Sequence, residues 1–235
     1  MSPAAEPLRI SLPQGATVSA LLDLPEDPQA ALVLAHGAGA GMQHMFLASL
    51  AQGLAGRRIA TLRFQFPFAE QGGKRPDPPA LAQAAVRCAA AEAARRLPGV
   101  PLFAGGKSFG GRMSSQAQAE QPLAGVRGLV FVGFPLHPAS KPGIARAAHL
   151  QQVQVPMLFL QGTRDTLADL ALVRQVGAGL GERATLHVVE GADHAFHVLA
   201  RSGRTDAEVL QELLDVMAAW MRTVAPTAAA SPPPG

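Results

Sequence analysis

Val100-Pro101-Leu102-Phe103-Ala104-Gly105-Gly106-Lys107-Ser108-Phe109-Gly110-Gly111 is the stretch that decides the fold. An apolar run ends in glycines that bracket a serine. The spacing Gly106-x-Ser108-x-Gly110 is that of a nucleophile elbow, in which a buried strand turns sharply into a helix. Such a turn crowds the backbone, so side chains at the two glycine positions would clash. The serine is left at the apex, with its oxygen exposed above a helix N-terminus. Gly106-Lys107-Ser108 also matches the end of a phosphate-binding loop. That motif requires a glycine five residues before Gly106, and Pro101 stands there. The intervening residues are apolar and strand-like, not a loop that wraps a phosphate.

Outward from the elbow, apolar strands alternate with helices. Residues 8–12, 18–24, 31–35, 59–66, 100–104, 128–134, 155–161 and 184–189 read as strands. Residues 45–55, 80–97, 108–120, 167–180 and 205–224 read as helices, with Trp220 facing inward. This alternation predicts a mostly parallel sheet covered on both faces, with ligands at the C-terminal ends of its strands. Residues 1–224 read as one domain, and 225–235 as a disordered Ala/Pro-rich tail.

The bulk properties narrow the classes. The chain has 235 residues, 48% of them hydrophobic and 16% charged, with a formal net charge of +3. Its basic residues are scattered as short pairs such as Arg57-Arg58 and Arg95-Arg96, and it has no tyrosine. No basic run interleaved with aromatics is present, so a nucleic-acid partner is not expected. The single cysteine, Cys88, falls in an Ala-rich helical stretch and reads as a structural thiol. No signal-peptide pattern and no transmembrane-length apolar run is visible, so a cytoplasmic protein without a membrane partner is expected. No metal-ligand spacing occurs, and neither a metal nor another cofactor is expected.

A serine needs a base to take its proton. Gln161-Gly162-Thr163-Arg164-Asp165 places a carboxylate just after one strand, and Glu190-Gly191-Ala192-Asp193-His194 places a histidine just after the next. Ser108 is therefore expected as nucleophile, His194 as general base and Asp165 as the group that orients His194. Asp193 and Asp169 compete with Asp165, and His197 competes with His194. Asp193 directly precedes His194 and must point elsewhere, whereas Asp169 and His197 lie about a turn further on. The oxyanion hole is expected from the backbone N–H groups of Phe109 and of Ala38, in the loop His36-Gly37-Ala38-Gly39-Ala40-Gly41. Lys107 reads either as a charge that favours anionic substrates or as the partner of a neighbouring carboxylate, the second being preferred. His36 reads as a loop-ordering residue. His137 reads as a pocket residue or as a satisfied histidine. Phe66 and Phe68 are candidate pocket walls.

With these residues assembled, the chain resembles an α/β-hydrolase of the dienelactone-hydrolase-like group, nearest to its Tex30- and KANSL3-type hydrolase-like subfamily. The matching stretches are 36–42, 62–67, 72–76, the elbow with Lys107, 133–138 and 191–194. The resemblance implies an eight-stranded, mainly parallel sheet whose second strand runs antiparallel. Serine stands here where true dienelactone hydrolases use cysteine. The implied activity is hydrolysis of a carboxylic ester or thioester of a small acyl group. Acyl transfer by the same residues, and a non-catalytic interaction protein, are the alternatives. Only about twenty residues separate Phe134 from Val155. A minimal cap and an open site are expected.

Overall fold

The computed structural model describes residues 5–225. Eight strands alternate with helices: β1 (Glu6–Ser11), β2 (Thr17–Asp23), β3 (Ala30–Ala35), α1 (Met45–Ala55), β4 (Ile59–Phe64), α2 (Pro67–Glu70), α3 (Pro79–Arg96), β5 (Leu102–Lys107), α4 (Phe109–Glu120), β6 (Val126–Val132), β7 (Met157–Gly162), α5 (Leu170–Leu180), β8 (Ala184–Val189) and α6 (Asp206–Val224). The strands form one sheet in the order β1-β2-β4-β3-β5-β6-β7-β8. β2 runs antiparallel to both β1 and β4, and the pairs from β4 through β8 are parallel. This is the α/β-hydrolase arrangement that the alternation and the resemblance pointed to.

The central strands β3 to β7 are largely apolar because they are buried on both faces, whereas β1, β2 and β8 towards the edges are partly exposed. Along β3, Ala31, Val33 and Ala35 enter one core, while Leu32 and Leu34 enter the other. The first core takes side chains of α3, α4 and α5, and the second those of α1 and α6. In α3, alanines at 82, 85, 89, 90 and 93 form the buried stripe. Their small side chains let a helix of high intrinsic propensity lie close to the sheet. Helix α6 starts at a capping box: the Thr205 hydroxyl accepts from the Glu208 N–H, and the Glu208 carboxylate accepts from the Thr205 N–H. Trp220 on α6 does pack inward, its ring 5.7 Å from that of Phe103 and its Nε1–H donating to Thr185 Oγ1 at 3.2 Å.

Several ends differ from the sequence reading. β4 stops at Phe64 rather than residue 66, because Pro67 opens α2 and Phe66 becomes its N-cap. β5 runs on past residue 104 to Lys107, because its ladder with β6 continues through Gly106↔Phe131 and Lys107↔Val132. α5 begins at Leu170, where the Asp169 carboxylate caps it by accepting from the Leu172 N–H. Ala225, read as the start of a disordered tail, is buried against the second core, and residues 226–235 lie outside the described residues.

Between β6 and β7 the chain holds one short 3₁₀ helix, Ala145–Gln152, packed on α4. No inserted cap domain stands over the sheet there. No helix among the described residues is long and apolar enough to cross a membrane.

Candidate active site

The sheet order changes direction around β3. The chain steps from β3 to β4 on one side, then returns to place β5 on the other. Loops leaving β3 and β5 therefore part at the C-terminal edge and open a crevice, the usual ligand position in such sheets. Ser108 follows β5, and the His36–Gly41 loop follows β3.

Ser108 has φ +50° and ψ −114°, a strained conformation for a residue with a side chain. Packing enforces it. A Cβ on Gly106 would lie 2.2 Å from the Ala35 carbonyl oxygen, and one on Gly110 would lie 2.5 Å from the same atom. Only glycines let β5 and the start of α4 press this closely on the end of β3.

The Ser108 Oγ lies 2.8 Å from His194 Nε2, and His194 Nδ1 lies 2.7 Å from Asp165 Oδ2. Asp165 also accepts from Gln161 Nε2 at 2.5 Å and from the Leu167 N–H at 2.8 Å. Its side chain is 1% exposed, whereas that of His194 is 24% exposed. The acid is sealed, and the imidazole faces the cleft. The two loops are stitched together: the Arg164 N–H donates to the Ala192 carbonyl, and the Gly191 N–H to Thr163 Oγ1. The competitors lie elsewhere. Asp193 Oδ1 accepts from the N–H groups of Ala195 and His197, which closes the turn. Asp169 caps α5, and His197 pairs with Asp206 at the surface.

Ala38 and Phe109 flank the serine, the latter as the first residue of α4. Neither N–H has a protein acceptor among the described residues. Gly37, Ala38, Ser108 and His194 line one cleft of about 390 Å³ with Gly39, Ala40, His44, Phe46, Leu47, Lys107, Leu167 and Ala195. Phe66 is fully buried and is not part of this wall, and Phe68 lines a separate cleft on the other side of the 38–41 loop.

Residues the sequence reading left unassigned hold the 36–42 loop. Arg63 and Asp23 form a buried ion pair at 2.9 Å, and Arg63 Nη1 donates to the Met42 carbonyl at 2.9 Å. Gln65 Oε1 accepts from the Met42 N–H at 2.8 Å. His36 orders the loop as expected: Nε2 accepts from the Phe66 N–H, so Nδ1 carries the proton and donates to the Gly37 carbonyl. Burial lowers the pKa of His36, which favours this neutral form. The available signal was polar residues, Arg63, Gln65 and Gln161, inside otherwise apolar strand-like runs. His137 proves to be a satisfied histidine, bridging the Pro138 carbonyl and the Asp169 N–H.

Lys107 does not pair with a carboxylate among the described residues. Its ammonium donates to the backbone carbonyl of His194 at 2.5 Å. Burial lowers its pKa to about 8, against the opposing pull of Asp165 and Asp193.

Solved structures resemble the whole of this architecture. A dienelactone hydrolase from Anabaena variabilis superposes with a TM-score of 0.76 at 19% identity, covering 95% of this chain and 99% of that one. A lidless serine hydrolase from Xanthomonas campestris gives 0.73 at 21% identity, covering 97% and 99%. A serine hydrolase homologue from Coxiella burnetii gives 0.73 at 20% identity, covering 91% and 96%. At such identities the likeness speaks for the fold. The sequence itself matches the family model described as an alpha/beta hydrolase domain over residues 28–222, and the chain belongs to that family.

Proposed function

We propose that this protein is a serine hydrolase that cleaves a carboxylic ester or thioester of a small acyl group through an acyl-enzyme on Ser108. The observation that carries the reading is the unbroken hydrogen-bonded line from Ser108 Oγ through His194 to the sealed Asp165. In the first half-reaction, Ser108 Oγ attacks the acyl carbon while His194 Nε2 takes its proton. Asp165 holds the Nδ1–H and stabilises the imidazolium. The oxyanion is received by the N–H groups of Ala38 and Phe109, each worth about 3 kcal/mol in the barrier. His194 then returns the proton to the leaving alcohol or thiol. In the second half-reaction water, activated by His194, attacks the acyl-enzyme and frees Ser108.

The cleft supports a small acyl group. It is about 390 Å³, lined largely by Ala, Gly, Phe and Leu, and has no cap domain above it. One of the structural relatives is likewise described as having no lid. Water as the acyl acceptor, a single domain over 1–224, a cytoplasmic location and membership of the Tex30- and KANSL3-type subfamily belong to the same reading.

A fluorophosphonate probe tests it. The wild type should label at one site, and Ser108→Ala should not label. Equal labelling of the two proteins, or none of the wild type, removes the proposal.

A further inference from the structure

We propose that Lys107 is a positioning residue for His194: its ammonium holds the 191–198 loop against the elbow and keeps the imidazole within reach of Ser108. The inference rests on the reading of Ser108 as the nucleophile.

Lys107 ends β5 and directly precedes Ser108. Its side chain crosses to the neighbouring loop and donates to the carbonyl of His194 itself. A charged donor on a carbonyl makes a stronger bond than a neutral one. The ammonium also lies 5.5 Å from the centre of the Phe196 ring, within cation–π range. Phe196 has φ +64°, an outlier for an aromatic residue. Its ring stacks on Phe46 of α1, with centres 6.1 Å apart and planes 3° from parallel. The strained backbone thus presents a ring whose one face is packed on α1 and which lies within reach of the cation. Gly133, just after β6, completes the enclosure. A Cβ there would stand 3.0 Å from Lys107 Nζ and 3.5 Å from both Cε1 and Nδ1 of His194. The ammonium and the imidazole edge therefore flank the same glycine.

Nothing pairs with Lys107 as a carboxylate among the described residues. The groups that face it are Asp165 from the loop after β7, and Asp193 and His194 from the loop after β8. A lysine kept charged where it is half-buried gives up part of its own solvation. Its lowered pKa gives a direct handle. Below about pH 8 the ammonium grips the carbonyl and the ring. Above that, a neutral amine is a weaker donor and has no cation–π attraction. The hold on His194 then loosens.

The rate of fluorophosphonate labelling is measured across pH for wild type, Ser108→Ala, Lys107→Met and Lys107→Arg. Labelling of wild type and not of Ser108→Ala establishes the nucleophile first, and the lysine variants are read against that rate. Lys107→Met, checked for folding by circular dichroism, should label at least about tenfold more slowly at neutral pH. Lys107→Arg, charged throughout, should recover part of the rate. The wild type should show a fall centred near pH 8 that neither variant shows. Lys107→Met labelling at the wild-type rate overturns the proposal, and so does an alkaline fall that persists in it. If Lys107→Met does not fold, Lys107→Gln takes its place, and labelling of that variant at the wild-type rate overturns the proposal.

Discussion

Arg63 illustrates how far a single side chain reaches. It neutralises Asp23 inside the protein and also grips the Met42 carbonyl at the end of the loop that carries Ala38. Removing one member of a buried pair strands the other charge. Arg63→Met should therefore lower stability by about 3–5 kcal/mol in urea denaturation. The double variant Asp23→Leu/Arg63→Met should regain most of that loss, because an apolar pair replaces an ionic one. It still has no donor for Met42. Its fluorophosphonate labelling should remain about tenfold slow, and a wild-type rate would show that the pair serves stability alone. Ser108, Asp165 and His194 were legible in the sequence because each follows an apolar run and the chain order is fixed. Asp23, Gln65 and Gln161 were not legible as supports. A polar residue in a strand announces that it needs a partner, but not which one, and Asp23 and Arg63 are forty positions apart.

At the scale of elements, the elbow depends on how closely α4 approaches β3. Gly110→Ala would put a Cβ 2.5 Å from one backbone oxygen and 2.6 Å from another, those of Ala35 and His36. Backbone cannot step aside as a flexible side chain can. The start of α4 must retreat, taking the Phe109 N–H with it. We expect a loss of about 1–3 kcal/mol and labelling slowed by about a hundredfold. Gly177→Ala in α5 is the contrast: nothing lies within 4 Å of its added Cβ. The same change there should raise stability by about 0.5–1 kcal/mol. Urea midpoints of the two variants moving in the same direction would contradict this account. The central strands were readable because burial on both faces makes them largely apolar. Their ends were not, since β4 is cut short by the proline of α2 and β5 is prolonged by pairing with β6. Neither event leaves a local mark in the apolar pattern.

Across the whole molecule, one sheet carries two cores and leaves its C-terminal edge uncovered. The Ala145–Gln152 turn lies on α4 and does not roof the cleft. A series of p-nitrophenyl esters should therefore favour short acyl chains, with kcat/KM falling by at least about tenfold from butanoyl to dodecanoyl. A rise with chain length would contradict the small cleft. The opposite edge of the sheet carries a different asset. Trp220 is the sole tryptophan, and the chain has no tyrosine. Its indole packs by Thr185 and Gly128, near the starts of β8 and β6, whereas the cleft at Ser108 lies past the far ends of the strands. Ultraviolet-excited emission then comes from a single fluorophore seated in the second core and remote from the cleft. It brightens, dims or shifts colour as that core loosens, and stays silent as the cleft fills, so a fluorimeter separates damage to the scaffold from damage to the chemistry.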